Sequence, residues 1–258
     1  MNNIYGYGLP VAASTYASKI DFGIWLIHAA MITIFVLWSI FFAYLLIKYR
    51  RRPGVPARRE EHSGELASLM PDIVVMLFEI GLIVFYAIPV WGKIKMTLPP
   101  ARDSVLVNVE AEQFAWNVHY PGPDGKFGAT KESLIRFSNP IGLDSSDPAA
   151  ADDVVVANEL HLPVGKPALI HLTSLDVIHD FFVPAFRIKQ DIVPGMDIPI
   201  WITPTRVGHY ELACAQLCGF GHSLMRGDVY VQSQADYDAW LKSRAAAKPK
   251  TAPATEGF

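Results

Sequence analysis

The chain has 258 residues, of which 51% are hydrophobic and 18% charged, an apolar excess that one soluble globule of this length does not require. Its 22 Lys+Arg against 25 Asp+Glu leave a net charge of −3, which supplies no basic field for a phosphate backbone and argues against nucleic acid as a partner. The two cysteines both fall within Cys214-Ala-Gln-Leu-Cys218, too local to staple a fold, so they are expected to act as ligands.

Residues 24–47 form an apolar run without a formal charge, longer than the roughly 20 residues a bilayer-spanning helix needs. Asp21 precedes the run and Lys48 follows it, the reverse of a cleavable signal with its basic leading region, so the helix is expected to be retained. A second apolar stretch, about 73–93, carries Glu79 and Pro89 and is just long enough to cross back. The two predict a transmembrane hairpin within residues 1–98. Lys48, Arg50, Arg51, Arg52, Arg58 and Arg59 crowd the connecting loop, whereas only Lys19 precedes the first helix; the positive-inside rule therefore places the loop in the cytoplasm and both chain ends outside. Glu79 is expected to pack against a partner subunit, and His28 to be a satisfied packing histidine.

Beyond Pro99 and Pro100 the pattern changes to short β-branched runs at 105–109, 154–156, 168–172, 198–202 and 228–231, punctuated by Pro and Gly. Such spacing predicts an all-β sandwich or Greek-key barrel over residues 99–242, standing on the outer side of the membrane. Residues 243–258 lack periodicity and bulky apolar groups and read as a flexible tail. His119, His161, His171 and His209 fall in expected strands or turns and read as structural. Asp152, Asp153, Asp176, Asp180 and Asp191 are candidates for an acidic docking patch.

The chemistry concentrates in Cys214-Ala-Gln-Leu-Cys218-Gly-Phe-Gly-His222-Ser-Leu-Met225, where thiolates, an imidazole and a thioether form a soft donor set suited to copper. Two thiolates four residues apart can meet at one spot, and each sulfur has lone pairs enough to bridge two metal ions. His179, in the apolar string Val-Ile-His-Asp-Phe-Phe-Val, supplies the second imidazole that such a site needs; its surroundings favour metal ligation over acid–base work. A structural zinc half-site or a disulfide is the plainer alternative for the cysteine pair.

The strings DVIHDFFVPAFRIKQDIVPG and CAQLCGFGHSLM resemble the binuclear copper (CuA) domain of cytochrome c oxidase subunit II, and the helical hairpin with its basic loop is similar too. The resemblance runs from about Ala13 to Val231. It implies a cupredoxin barrel in which Cys214 and Cys218 bridge two coppers, His179 and His222 each bind one, and Met225 and the backbone carbonyl of Gln216 are weak outer ligands. It implies electron acceptance near Phe114 and Trp116 in the string Gln113-Phe-Ala-Trp116, and a proton-path mouth near Glu65, which could instead simply favour the positive end of its helix. Gln216 stands where the family usually has a glutamate that helps hold magnesium at the boundary with subunit I; a neutral amide is a poorer ligand for a hard cation, which argues against that contact here. Cys-x-x-Cys-His is absent from the sequence, so no covalent haem is expected and the donor is a separate cytochrome c or cytochrome-containing complex.

What the resemblance implies is the electron-accepting subunit of a proton-pumping oxidase in a bacterial-type inner membrane. Active only with subunit I and associated subunits, it would pass electrons to haem for reduction of oxygen to water. A nitric oxide reductase subunit sharing the copper site and a membrane-anchored copper carrier are the rival readings; a carrier needs exposed, exchangeable thiolates.

Overall fold

The computed structural model describes residues 8–56 and 65–246. Its residues divide into two units, Lys19–Met96 and a second one built from the rest.

The first unit is helical. Helix α1, Ala17–Lys48, begins before the apolar run, because Lys19 and Asp21 are compatible with helix though not with a bilayer interior. Helix α2 covers residues 65–95 in three continuous stretches, Glu65–Leu82, a π-turn Ile83–Ala87 and Ile88–Lys95. The wider turn comes just before Pro89, whose missing N–H and ring interrupt the ordinary i to i−4 ladder. Glu65 opens α2, and its side chain lies outside the described residues, as do Arg58, Arg59 and residues 247–258. The two helices touch where Phe22 meets Tyr86 at 5.5 Å between ring centroids, and the Tyr86 hydroxyl donates to the Lys19 carbonyl. Both are long and apolar enough to cross a membrane, with the apolar stretches unburied within the chain; that much exposed apolar surface calls for surroundings other than water. His28 Nδ1 donates to the Ile24 carbonyl at 2.7 Å, one turn back, so its polar group is satisfied within the helix.

The second unit is a β-sandwich. In chain order its strands are β1 Val105–Glu112, β2 Ala115–Tyr120, β3 Val154–Ala157, β4 Glu159–Pro163, β5 Ala168–Ser174, β6 His179–Val183, β7 Ile188–Ile192, β8 Ile198–Ile202, β9 Gly208–Cys214 and β10 Arg226–Gln232. One sheet runs β3-β2-β1-β5-β8 and the other β4-β10-β9-β6-β7. Pairs β1–β5 and β10–β4 are parallel and the rest antiparallel, so the sheets are mixed rather than a simple meander. Alternate residues of β1, β9 and β10 point inward, and Val107, Val109, Trp116, Leu160, Ile170, Phe181 and Val229 are wholly buried between the sheets. Each such side chain contributes about 1.5–3 kcal/mol relative to exposure.

Two additions enlarge this unit. Residues ahead of α1 join it: Ala13 N–H donates to the Ala185 carbonyl at 2.8 Å, and Thr205 N–H to the Ala13 carbonyl at 2.9 Å. At the other end helix α3, Gln234–Ala246, runs past Ser243, so residues 243–246 are helical rather than the start of a tail. Tyr237 is buried, and Trp240 and Leu241 pack on the core, the i, i+3, i+4 spacing of one helix face.

The outer face of the first sheet carries Asn108, Glu110, Asn117, His119, His171 and Thr173 around a cavity of about 510 Å³. Glu110 Oε1 is buried there without a partner, and burial, reinforced by Glu112, pushes its carboxyl up to about 7. With the folded value above the unfolded one, the native state holds the extra proton between the two. Stability is therefore expected to fall as pH rises from about 4.5 to about 7 and to level off above. Burial and the facing Asp191 raise Asp180 to about 7 as well, so Glu110→Gln should flatten this slope without removing it. Urea midpoints across that range test this, and an unchanged slope would contradict it.

Candidate metal centre

Three neighbouring strands of the second sheet, in the order β10-β9-β6, bring the donor groups to one end of the sandwich. Cys214 ends β9, His179 opens β6, and Met225 immediately precedes β10. Phe181 pairs with Cys214 across β6 and β9, and Cys214 N–H donates to the Met225 carbonyl at 3.1 Å. The ladder therefore fixes side chains of the candidate site that lie far apart in sequence. Cys218 and His222 sit on the loop between β9 and β10, whose return is tightened by His222 N–H donating to the Gly219 carbonyl at 3.1 Å.

Both cysteines are free and buried. Their sulfurs stand 3.8 Å apart, far beyond the roughly 2.05 Å of a disulfide. Each sulfur has its own imidazole: Cys214 Sγ lies 3.9 Å from His179 Nδ1, and Cys218 Sγ lies 3.6 Å from His222 Nδ1. Each also has one weak donor, the Gln216 carbonyl 3.1 Å from Cys214 Sγ and Met225 Sδ 3.8 Å from Cys218 Sγ. The donor atoms of His179, Cys214 and Cys218 lie within 4.8 Å of one another. His179 and Met225 are almost fully buried. Burial, together with the neighbouring Cys214, pushes the Cys218 thiol up to about 11, so a metal that binds this sulfur must displace its proton.

The outer frame was not anticipated from the sequence. Asp176 Oδ1 accepts from His179 Nε2 at 2.8 Å and from Val177 N–H at 2.7 Å, while its Oδ2 accepts from Gln113 N–H at 2.7 Å. This fixes the tautomer that leaves Nδ1 facing the sulfurs. Gln113 in turn donates from Nε2 to the Cys218 carbonyl at 2.5 Å. Trp116 stands edge-on to His179, with ring centroids 6.4 Å apart, and to Phe181 at 5.9 Å.

Of the aromatic pair expected to receive electrons, Trp116 is fully buried and Phe114 is 37% exposed, so only Phe114 reaches the surface. Two of the five aspartates expected to form an acidic docking patch lie inside the fold. Asp153 is buried against His119 at 2.7 Å, Asp180 is buried opposite Asp191, and Asp176 is turned onto His179. The remaining histidines are held by partners: His171 by Asp197 at 2.9 Å, His209 by Asp228 at 2.6 Å, and His161 by Gln232 at 3.0 Å while it stacks on Trp240.

Residues 105–233, half of the chain, match the family described as cytochrome c oxidase subunit II, periplasmic domain. The chain is 37% identical over 216 residues to the alternative cytochrome c oxidase subunit 2 of Bradyrhizobium diazoefficiens, covering 82% of this chain and 75% of that protein. It is 33% identical over 253 residues to cytochrome c oxidase subunit 2 of Cereibacter sphaeroides, covering 92% and 80%. The crystal structure of the periplasmic domain of subunit II of cytochrome oxidase from Bradyrhizobium japonicum aligns at 25% identity with a TM-score of 0.43, over 58% of this chain and 98% of that one. A histidine beside a free cysteine pair is, in this setting, a candidate copper site. With two membrane-length helices ahead of its β domain, the chain belongs to the cytochrome c oxidase subunit II family.

Proposed function

We propose that this chain is the electron-accepting subunit of a haem–copper terminal oxidase, holding a binuclear copper centre on the extracytoplasmic side and passing electrons to haem in a partner subunit I. The observation that carries the reading is the paired donor set, in which each of two facing sulfurs has one imidazole and one weak donor of its own. That arrangement suits two metal ions better than one. Cys214 and Cys218 would bridge them, His179 and His222 would complete one end each, and the Gln216 carbonyl and Met225 would be the outer donors. A bound copper pair supplies a one-electron acceptor whose charge is spread over two metals.

The protein supplies position and dryness. The β6–β9 ladder and the Asp176 carboxylate hold His179, Trp116 and Phe181 exclude water behind it, and Gln113 ties the ligand loop to the Phe114 segment. Buried thiols held in a hydrogen-bonded frame fit a relay better than a copper carrier, which needs accessible sulfurs. The basic residues that follow α1 and the positive-inside rule support a cytoplasmic inter-helix loop, with the copper domain outside.

Electron paramagnetic resonance of the copper-loaded protein tests the assignment. An unpaired electron shared equally by two copper nuclei is expected, whereas a single-copper spectrum or a lone zinc overturns it. Asp176→Asn keeps the shape but loses the carboxylate behind His179, and is expected to lower copper affinity about 10–100-fold. Competition with a chelator measures this; unchanged affinity would deny Asp176 that role.

A further inference from the structure

Strands β2, β1 and β5 lie side by side in the first sheet, and their register builds two polar rows on its outer face. His119, Asn108 and His171 stand opposite one another in one row, and Asn117, Glu110 and Thr173 in the next. Side chains alternate along a strand, so these six share the face turned away from Val107 and Val109, at about 5 Å between strands. Glu110 is therefore the centre of its row, with an amide on one side and a hydroxyl on the other. The segment 121–153 closes over the rows: Phe127, Thr130 and Ile141 form the facing wall of the cavity of about 510 Å³. That wall is fastened to the sheet. Asp153 Oδ2 accepts from Gly128 N–H at 2.8 Å and pairs with His119 Nε2 at 2.7 Å, and the Phe127 ring stands edge-on to His119 at 4.9 Å between centroids. A cavity of this size with fixed walls can hold a small molecule.

The lining selects the chemistry of that molecule. It contains no Lys or Arg, so an anion would meet Glu110 with nothing to offset the repulsion. Glu110 Oε1 is buried without a partner, and burial, reinforced by Glu112, holds its carboxyl up at about 7; the fold leaves this charge without a counter-ion, a costly state that an incoming cation relieves. A metal ion fits poorly. Among the described residues the His, Cys, Asp and Glu side chains close enough to hold one are His179, Cys214 and Cys218, so the carboxyl and imidazoles of the cavity do not converge on a point. What the cavity suits is a cation that brings its own N–H donors. Asn117 spends its Nδ2 on Glu112 at 3.0 Å, which leaves its carbonyl oxygen as an acceptor, and Phe127 and Ile141 offer an apolar wall to a hydrocarbon body.

We propose that this cavity is a binding site for a small protonated primary amine, whose ammonium group is received by the Glu110 carboxylate with the Asn108, Asn117 and Thr173 side chains around it. The alkyl chain lies against Phe127 and Ile141. The site is separate from the metal centre, which the second sheet builds, and the inference does not depend on what that centre does. A charge-assisted hydrogen bond to a carboxylate shielded from water is the strong kind, so Glu110 carries most of the selectivity.

Equilibrium dialysis of the full chain in detergent against radiolabelled n-butylamine tests this, at about pH 8, where the amine is protonated and the Glu110 carboxyl ionised. Saturable binding of one amine per chain is expected. Unlabelled putrescine should displace it, whereas n-butanol, of the same length but uncharged, and choline, charged but without an N–H, should not. Glu110→Gln keeps the shape and removes the charge, and should weaken binding at least about tenfold. Thr173→Val keeps the carboxylate and the volume, and should weaken it about threefold; it gives an independent reading should the first variant fail to fold, which circular dichroism reports. Absence of saturable binding to the wild type would mean a cavity filled by water alone and overturns the proposal, as does equal binding by either folded variant. Displacement by choline or by magnesium chloride at equal concentration would reveal only a general attraction of cations, and overturns it too.

Discussion

Replacing Cys218 by serine is expected to remove the proposed paired copper centre altogether while leaving the β-sandwich folded. Cys218 Sγ sits among three other donors, standing 3.8 Å from Cys214 Sγ, 3.6 Å from His222 Nδ1 and 3.8 Å from Met225 Sδ. A serine oxygen is harder, holds its proton at any ordinary pH and bridges copper ions poorly, so the substitution changes donor chemistry while altering volume only slightly. The remaining Cys214, with His179 and the Gln216 carbonyl beside it, can hold at most a single ion. Copper content per chain, visible absorption and the resonance spectrum together measure the outcome. Retention of two coppers with an evenly shared electron would show that Cys218 does not bridge. Unchanged circular dichroism would separate loss of the centre from loss of the fold. Cys214→Ser should give the mirror result, leaving an ion on the His222 and Met225 side.

What could be read from the sequence follows from which forces act locally. The membrane helices were legible because residues 24–47 run without a charge. Their true starts were not, since the residues from Ala17 onward obey helix rules rather than bilayer rules. Strands with alternating apolar residues, such as β1 and β8, were visible in outline. Others were hidden by buried polar groups whose partners lie elsewhere: Asn117 and His119 in β2, His161 in β4 and Asp180 in β6 are all buried, and an alternation count treats them as breaks. Helix α3 was missed because its anchors are only Tyr237, Trp240 and Leu241 among alanines and charges.

The proposed donor residues could be picked out because most lie within twelve positions, 214–225, and because the copper pair proposed for them needs a second imidazole. The frame around them was not, for it is made by contacts spanning 63 residues between Asp176 and Gln113 and 105 between Gln113 and Cys218. An aspartate three residues before the proposed ligand His179 was the available signal. The aspartates were read as a docking patch or as plainly solvated carboxylates, and Asp153 and Asp180 instead lie inside the fold.

Trp116→Ala is expected to be the most destabilising single change in the β unit, costing about 3–5 kcal/mol. The side chain is wholly buried and lies where the two sheets meet the metal-binding end: its ring faces His179 and Phe181, and Cδ1 lies 3.3 Å from where a Cβ on Gly227 would be. Rigid strands on both sides give the cavity little room to collapse, and His179 would lose one wall of its pocket. Trp116→Phe keeps an aromatic plate against Phe181 and gives up a buried indole N–H that has no partner, so it should cost clearly less. Denaturant unfolding of the metal-free protein measures the fold term, and copper competition on the folded fraction measures the His179 term. An alanine variant within about 1 kcal/mol of wild type would mean that the sandwich relaxes around the gap. In that case Trp116 would not be what holds His179, and Asp176 would carry that task through its hydrogen bond alone.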